Sequence, residues 1–431
     1  MAHEVAITGA ASELQGVGRL DGRAVFVPGA LPGETVEIEI VREQERFLVA
    51  RLLRVLSPSP DRRAGDCRYA SECGGCQARH MTYELSLALK RQRVQDALQR
   101  IGGFNAPVVL ETLGMAQPER CRNKAEYAID CEKIGLRRVD GRNILPVEDC
   151  LLQKEPSVRA MRALRTWLKA HPRTPLKYLV TRVSRAGEEM AVLSYEGGWD
   201  ASEAAKALSG ALPELKSLYG CRLKPGYTHA LDGECRLISG NATLADELGG
   251  IGFSLAPQTF FQVNPVQVEA LYKTALDFAG LTGCELVVDA YCGAGSIALY
   301  MAKHADRVIG IELMPEAVRD ARENAKRAGL TRVADFIPGR AEKLLPEMLR
   351  KGLKPDVVVV DPPRKGLEEE LTRALGAAAP KRIVYVSCDP GTLSRDLKRL
   401  AASGYCLGKV QPVDMFPWTA HVECVAVMSR G

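Results

Sequence analysis

The 431-residue sequence has no uninterrupted apolar run near the roughly 20 residues that a membrane-spanning helix needs, which excludes a bundle of membrane helices. It also lacks a large excess of one charge, because 58 Lys and Arg residues stand against 53 Asp and Glu residues. The net charge of +5 permits an anionic partner but does not require one. We find no internal repeat and no low-complexity tract, and a hydrophobic share of 46% is typical of a folded chain.

The first residues of the sequence do not have the form of a secretory signal. They contain the acidic Glu4 and lack a basic region followed by an apolar one, so we expect a cytoplasmic protein. Thirteen cysteines are many for that compartment. Thiols there are more often buried, metal-bound or catalytic than paired in disulfides, and their spacing is therefore informative.

Length and patterning together predict three domains. Short alternating strands between glycine turns in residues 1–58 indicate a small β-barrel of the OB type. Residues 59–250 combine clustered cysteines, a helix predicted from Thr82 to Arg100 and a mixed pattern, which indicate a central α+β region. From 251 to 431, buried apolar strands alternate with helices, as in a doubly wound, Rossmann-like α/β domain.

A glycine-rich turn in the C-terminal part indicates a nucleotide-like ligand. The strand Leu286–Ala290 leads into Gly293 and Gly295, and the next strand ends at Glu312, where a carboxylate can accept hydrogen bonds from two ribose hydroxyls. The pattern fits a dinucleotide or S-adenosylmethionine. The third glycine of the dinucleotide motif is absent because Ser296 follows the turn directly, which favours S-adenosylmethionine, a ligand without a pyrophosphate.

Three reactive side chains follow or interrupt apolar strands of the same domain. Asp361 follows the strand Val357–Val360, Cys388 follows the next one, and Glu423 lies inside an apolar strand near the C-terminus. Ligands bind at the carboxyl ends of strands in such folds, and a thiol there can act as a nucleophile. Each residue alone also has a structural explanation, as a helix cap, a buried thiol or the partner of an arginine.

Taken together, these motifs resemble the RNA uracil-C5 methyltransferase family, in its ribosomal-RNA branch with a TRAM domain and an iron–sulfur cluster. The matching C-terminal motifs are Phe260-Phe261-Gln262-Val263-Asn264-Pro265, Asp289–Gly295, Asp361–Arg364, Ser387-Cys388-Asp389-Pro390 and His421-Val422-Glu423. The matching TRAM motifs are Gly16-Val17-Gly18-Arg19, Phe26-Val27-Pro28-Gly29 and Pro32-Gly33-Glu34. Between about residues 151 and 250 the chain has no motif that we can assign.

The resemblance implies methyl transfer from S-adenosylmethionine to C5 of a uridine, giving 5-methyluridine and S-adenosylhomocysteine. It assigns Cys388 as the nucleophile that adds to uracil C6 and Glu423 as the base that removes the C5 proton. The residues that it assigns to the methyl donor are Gln262, Tyr291, Glu312 and Asp361.

The clustered cysteines Cys67, Cys73 and Cys76 provide three closely spaced thiolates, which on spacing alone could bind zinc or an iron–sulfur cluster. The resemblance implies a [4Fe-4S] cluster with Cys150 as the fourth ligand, while Cys121 and Cys131 remain competing candidates. We expect the other cysteines that we considered to be buried structural thiols, namely Cys292, Cys406 and Cys424.

The implied partner is RNA, most specifically a uridine of 23S rRNA flipped out of its stack. The candidates for base stacking are Phe260, Phe261 and Trp418, although we expect each of them to be buried in the core. We infer no membrane and no obligate protein partner. The alternatives are a methyltransferase acting on the tRNA T-loop, an RNA cytosine-C5 methyltransferase, and an RNA-binding or ribosome-assembly factor without catalytic activity.

Overall fold

A computed structural model describes residues 2–430. The first thirteen strands are β1 (Ala2–Ala10), β2 (Gly16–Leu20), β3 (Arg23–Val27), β4 (Thr35–Glu43), β5 (Phe47–Ser57), β6 (Val108–Val109), β7 (Lys124–Asp130), β8 (Lys133–Arg137), β9 (Ile144–Pro146), β10 (Leu176–Val183), β11 (Glu189–Tyr195), β12 (Leu215–Leu223) and β13 (Gly233–Gly240). The remaining strands are β14 (Leu244–Leu248), β15 (Ile251–Leu255), β16 (Leu286–Asp289), β17 (Arg307–Glu312), β18 (Ala334–Pro338), β19 (Val357–Val360), β20 (Arg382–Ser387), β21 (Tyr405–Val413) and β22 (Glu423–Arg430). The helices are α1 (Tyr83–Arg100), α2 (Glu155–Ala170), α3 (Ser202–Ala211), α4 (Pro265–Ala279), α5 (Ser296–Ala302), α6 (Pro315–Arg327), α7 (Ala341–Arg350), α8 (Glu369–Ala378) and α9 (Pro390–Ala401).

The N-terminal strands form a closed barrel in the order β1-β2-β3-β5-β4. Alternate residues of these strands point inward, so that Val5, Ile7, Val25 and Val27 are buried with residues of β4 and β5 in one small core. The predicted barrel is therefore confirmed. Two of its strands, β1 and β2, were not singled out individually in the sequence.

A seven-stranded sheet in the order β13-β12-β11-β10-β7-β8-β9 follows in the middle of the chain. The pairing is antiparallel except between β11 and β12, and α2 and α3 supply apolar residues to the core that the sheet forms. Two of the strands, β7 and β10, correspond to apolar runs readable in the sequence. The irregular pattern between 106 and 250 thus encodes a sheet whose extent the sequence did not reveal.

The C-terminal sheet has eight strands in the order β18-β17-β16-β19-β20-β22-β21-β6. The first five are parallel, and β22 is antiparallel to both β20 and β21. Successive residues of β19 point to opposite faces, with Val357 and Val359 in one core and Val358 and Val360 in the other. Helices α4, α5 and α6 cover the first face and α1, α7, α8 and α9 the second. This confirms the predicted doubly wound α/β class.

Two segments pack away from their neighbours in sequence. Helix α1, which begins after its N-cap Thr82, packs on α9 and β21, and β6 pairs with β21 at the edge of the C-terminal sheet. The hairpin of β14 and β15 also supplies residues to the C-terminal core, and the boundary predicted at residue 250 lies in its turn. The division of the chain into domains at 58 and 250 stays a prediction.

Within residues 2–430, no helix combines the length and the apolar character that crossing a membrane requires.

One sequence-based expectation about burial is wrong for a cysteine of the C-terminal sheet. Cys406, expected to be a buried structural thiol, is exposed on β21, whereas Cys292 and Cys424 are buried as expected. Cys406 follows the buried Tyr405 in β21, and because successive residues of a strand point to opposite faces, its side chain points away from the core.

The packing of the barrel predicts a strict requirement for glycine at Gly18. A Cβ atom at this position of β2 would lie 2.5 Å from the backbone oxygen of Ala6, which cannot move without breaking the pairing of β1 and β2. We expect Gly18→Ala to destabilise the barrel by about 1–3 kcal/mol, measured by hydrogen exchange of its strand amides. Gly9→Ala is the matched control, since a Cβ there meets no atom within 4 Å. Equal protection in the two variants would contradict this reading of the packing.

Candidate active site

Several of the side chains predicted to be functional lie at one edge of the eight-stranded sheet. The parallel strands β16, β17, β19 and β20 all end there, and β22 begins there because it runs in the opposite direction. The side chains that follow or begin these strands are Tyr291, Glu312, Asp361, Cys388 and Glu423. Residues separated by up to 132 positions in the chain are thereby placed at the same edge.

A cleft of about 2000 Å³ lies between this edge and the seven-stranded sheet. Tyr291, Glu312 and Asp361 line it on one side, and Lys124 and Arg222 of the seven-stranded sheet line it on the other. Its size and mixed lining suit a small ligand together with part of a larger one. Among the described residues predicted for catalysis or for the methyl donor, Gln262, Cys388 and Glu423 lie outside its lining.

The glycine turn after β16 leaves backbone open to this cleft. Gly293 and Gly295 have φ values of 54° and 86°, in the left-handed region that favours glycine, and a Cβ at Gly293 would meet no atom within 4 Å. Glu312 is fixed beside the turn because its carboxylate accepts hydrogen bonds from the amides of Gly293 (3.1 Å) and Met314 (2.8 Å). A carboxylate oxygen can accept more than one hydrogen bond, so Glu312 keeps capacity for ribose hydroxyls.

Asp289 and Tyr291 flank the end of β16. The carboxylate of Asp289 is fully buried and accepts a hydrogen bond from the amide of Tyr291 at 3.3 Å, while its Oδ2 has no hydrogen-bond partner among the described residues. Burial raises the pKa of Asp289 to about 7. The phenol of Tyr291 donates to Glu342 at 3.2 Å, which holds its ring at the cleft.

Cys388 lies in a tight turn between β20 and α9. The hydroxyl of Ser387 donates to the backbone oxygen of Asp389 (3.0 Å) and accepts from its amide (3.1 Å), so it closes the turn around Cys388. Asp389 caps α9 by accepting a hydrogen bond from the amide of Thr392 at 2.8 Å. The thiol is half-buried, and Cys424, the residue after Glu423, lies opposite Ser387 in the pairing of β20 with β22.

Burial shifts the pKa values of Asp361, Glu423 and Cys388 at this edge. Burial, with a further contribution from the nearby Glu423, raises the pKa of Asp361 to about 8. Burial raises the pKa of Glu423 to about 7, against the opposing charge of Arg364. Burial and then Glu423 raise the pKa of the Cys388 thiol, and Arg364 again opposes the shift. Carboxyl groups that titrate near neutral pH are typical of sites that move protons.

The segment before α4 places Gln262 and the two phenylalanines. Asn123 fixes this segment, since its side chain donates to the backbone oxygen of Gln262 at 3.1 Å and its amide donates to Val263 at 2.8 Å. Phe261 is buried as expected, and so is Trp418. The expectation that Phe260 belongs to the core is wrong, because 74% of its surface is exposed and it lines the cleft.

Four of the cysteines surround a second cavity, of about 360 Å³. Cys67, Cys73, Cys76 and Cys150 all line it, although Cys150 is distant from the other three in the chain. The competing candidates do not, since Cys121 is buried beside Trp418 and Cys131 is exposed between β7 and β8. Across residues 2–430, no group of three or more His, Cys, Asp or Glu side chains has the arrangement to hold a single metal ion.

Sequence reasoning did not single out two residues of the site. Arg364 acts electrostatically on Cys388 and Glu423, and only its place after Asp361-Pro362-Pro363 could have indicated this. Asp289 was part of a motif but was given no role. Its signal was an acidic residue at the end of a fully apolar strand, where burial without a use is costly.

Comparison with known proteins is consistent with this site. Residues 250–431 match the family described as tRNA (Uracil-5-)-methyltransferase, and residues 3–53 match the TRAM domain. An uncharacterized RNA methyltransferase of Halalkalibacterium halodurans is 38% identical over 99% of this chain and 96% of its own. A second one, of Caldanaerobacter subterraneus, is 40% identical over 99% of this chain and 98% of its own.

A solved structure agrees over the whole chain. The tRNA (uracil-54, C5)-methyltransferase of Pyrococcus abyssi, in complex with S-adenosyl-L-homocysteine, has a TM-score of 0.80 and is 26% identical, covering 99% of this chain and 100% of its own. These similarities support an enzyme rather than a binding or assembly factor without activity. The chain therefore belongs to the tRNA (uracil-5-)-methyltransferase family, with a TRAM domain at its N-terminus, and is an S-adenosylmethionine-dependent RNA uracil-C5 methyltransferase.

Proposed function

We propose that the protein methylates a uridine of 23S rRNA through a covalent adduct between Cys388 and uracil C6. The observation that carries the covalent mechanism is the meeting of one thiol and a buried carboxylate at the sheet edge beside the cleft, with Arg364 acting on both. Uracil C5 is a poor nucleophile, and a thiolate added at C6 makes it electron-rich.

The Cys388 thiolate forms a bond to C6, and the electron pair of the C5–C6 double bond moves toward O4 to give an enolate. C5 then attacks the methyl group of S-adenosylmethionine, and the bond between that methyl and the sulfonium breaks with its electrons on sulfur. S-adenosylhomocysteine is left. Arg364 favours the thiolate because its positive charge lowers the pKa of Cys388 against the effect of burial.

Removal of the C5 proton completes the reaction. The proton moves to the Glu423 carboxylate, the electron pair of the C5–H bond restores the C5–C6 double bond, and the bond between C6 and sulfur breaks to release the thiolate. With a pKa of about 7, Glu423 is in part deprotonated at neutral pH and can accept this proton. Asp361, with a pKa of about 8, keeps its proton at neutral pH and can donate a hydrogen bond.

The methyl donor occupies the part of the cleft beside the glycine turn. Glu312 receives the ribose hydroxyls, and Tyr291 offers an aromatic surface. Asp361, which lines the cleft, contacts the donor or the uracil edge. Gln262 lies outside the lining and is assigned to the donor by the resemblance alone. The exposed ring of Phe260 is available to stack on a flipped or neighbouring base.

Substitution of the two reacting residues separates the steps. We expect Cys388→Ala to abolish both methyl transfer and adduct formation. We expect Glu423→Gln to lower turnover by about 10²-fold or more and to accumulate an RNA–protein adduct that persists on a denaturing gel. Cys406→Ala, which changes an exposed thiol of the same sheet, is the control and should keep normal turnover. Normal turnover of Cys388→Ala, or rapid product release from Glu423→Gln, would contradict the mechanism.

The second cavity fits a [4Fe-4S] cluster held by Cys67, Cys73, Cys76 and Cys150. All four thiols line one cavity of about 360 Å³, and four cysteine thiolates are the ligand set of such a cluster. Such a cluster would link the segment around Cys73 to Cys150 and so serve a structural role, since the methyl transfer requires no redox change.

Metal analysis distinguishes the cluster from zinc. We expect the protein purified without oxygen to contain about four iron and four sulfide per chain, and Cys150→Ser to lose them because one ligand is missing. Cys131→Ser, at an exposed cysteine outside the cavity, should retain the full iron content. One zinc per chain with no sulfide would contradict the proposed cluster.

Two RNA substrates remain to be distinguished. The TRAM barrel together with the four cysteines resembles the ribosomal-RNA branch and supports 23S rRNA. The full-length similarity to the Pyrococcus abyssi enzyme, whose name specifies uracil 54 of tRNA, favours the alternative of a tRNA T-loop uridine.

Methylation of separately transcribed RNAs tests the choice. We expect the protein to methylate 23S rRNA at uridine C5, with the position mapped by mass spectrometry of nuclease fragments, and to leave tRNA unmodified. The Cys388→Ala variant serves as the control for background methylation. Methylation of a T-loop uridine with unmodified 23S rRNA would establish the alternative instead.

A further inference from the structure

The loop of residues 414–422, between β21 and β22, leads directly into Glu423. It has no regular secondary structure, yet Asp414, Met415, Trp418 and Val422 are each at most 2% exposed. Loops usually lie at the surface because their backbone groups need water. A buried loop at this position therefore depends on specific contacts from other parts of the chain.

The first set of contacts comes from residues directly after Cys76. The backbone oxygen of Trp418 accepts hydrogen bonds from the amides of Gln77 (2.9 Å) and Ala78 (3.0 Å). The side-chain oxygen of Gln77 accepts a further hydrogen bond from the amide of Ala420 at 3.2 Å. A segment that begins at a cysteine of the second cavity is thus bonded to the 414–422 loop at two points.

Trp418 is held in an unusual backbone conformation. Its φ of 63° lies in the left-handed region, which is costly for a bulky residue and persists only where the surroundings enforce it. Its ring lies 4.9 Å from the guanidinium of Arg63 and 5.0 Å from that of Arg79, and its indole nitrogen donates to Glu119 at 3.1 Å. Arg79 also lines the second cavity beside Cys76, so it lies between that cavity and the ring of Trp418.

Helix α1 provides the second set of contacts. The ammonium group of Lys90 pairs with Asp414 and donates to the backbone oxygen of Phe416 at 3.0 Å, with both charged side chains fully buried. Arg93 donates to the backbone oxygen of Ala420 at 2.6 Å. The loop is therefore fixed from α1 on one side and from the segment directly after Cys76 on the other.

We propose that Gln77 and Arg79 are positioning residues that hold the 414–422 loop so that Glu423 can remove the C5 proton. The inference rests on the role of Glu423 proposed above. Glu423 is the first residue of β22, and the loop therefore sets how its carboxylate enters the active site. A displacement of about 1 Å from the reacting geometry can cost about 10²-fold in rate. Gln77 and Arg79 thereby act on the last chemical step without touching the substrate.

The test measures adduct formation and adduct resolution separately, in single turnovers with the proposed RNA, and the affinity for S-adenosylhomocysteine by calorimetry. For Gln77→Ala and Arg79→Met we expect resolution to slow by about 10- to 100-fold, so that the adduct accumulates. Adduct formation and S-adenosylhomocysteine affinity should stay at the wild-type values. Gln77→Glu retains an acceptor for the Ala420 amide and should restore resolution.

Arg430→Met is the matched control. It removes an arginine that lies 5.6 Å from the ring of Tyr405 at the far end of β22, and resolution should be unchanged. Unchanged resolution in Gln77→Ala and Arg79→Met would overturn the inference, and so would a parallel loss of adduct formation and ligand affinity, which indicates a general structural role. If Glu423→Gln accumulates adduct and Gln77→Ala does not, this inference alone fails. If Glu423→Gln resolves its adduct at the wild-type rate, the proposed mechanism fails and this inference with it.

Discussion

The antiparallel pairing of β22 with β20 is the constraint on which the candidate active site depends. The parallel strands of the C-terminal sheet all end at one edge, and a further parallel strand would have placed Glu423 at the opposite edge. Because β22 runs the other way and pairs Cys424 with Ser387, its first residue lies beside the turn that holds Cys388. Two side chains separated by 35 positions thereby become neighbours in one site.

Burial sets the pKa values of the side chains that meet in this site. Acidic side chains removed from water resist ionisation, and the pKa values of Asp361 and Glu423 rise to about 8 and about 7. Arg364 opposes the shift for Glu423 and for Cys388 and so keeps the charged forms accessible. Buried acidic groups with raised pKa values destabilise the folded protein at neutral pH. The burial of apolar side chains in the two cores on either face of the sheet offsets this destabilisation.

The sequence motifs alone identify much of the candidate site. Glu312, Asp361 and Cys388 each stand at the end of an apolar run, Glu423 lies within one, and the doubly wound sheet follows from those runs. Other features had no local signal. The seven-stranded sheet is built partly from short strands such as β9 and an exposed strand, β13, whose residues show no regular apolar pattern. The exposure of Phe260 and Cys406 likewise depends on what packs around them, which a single sequence does not encode locally.

The sequence by itself determined the residue types, their order and the local elements that place them, because strand periodicity, glycine turns and helix caps are set by neighbours in the chain. The tertiary structure alone decided which of these elements meet. It brought Cys150 to the cavity of Cys67, Cys73 and Cys76, and it joined Gln77 and Arg79 to Trp418. Such contacts join residues far apart in sequence, and they arise from the packing of whole sheets and helices rather than from any local preference.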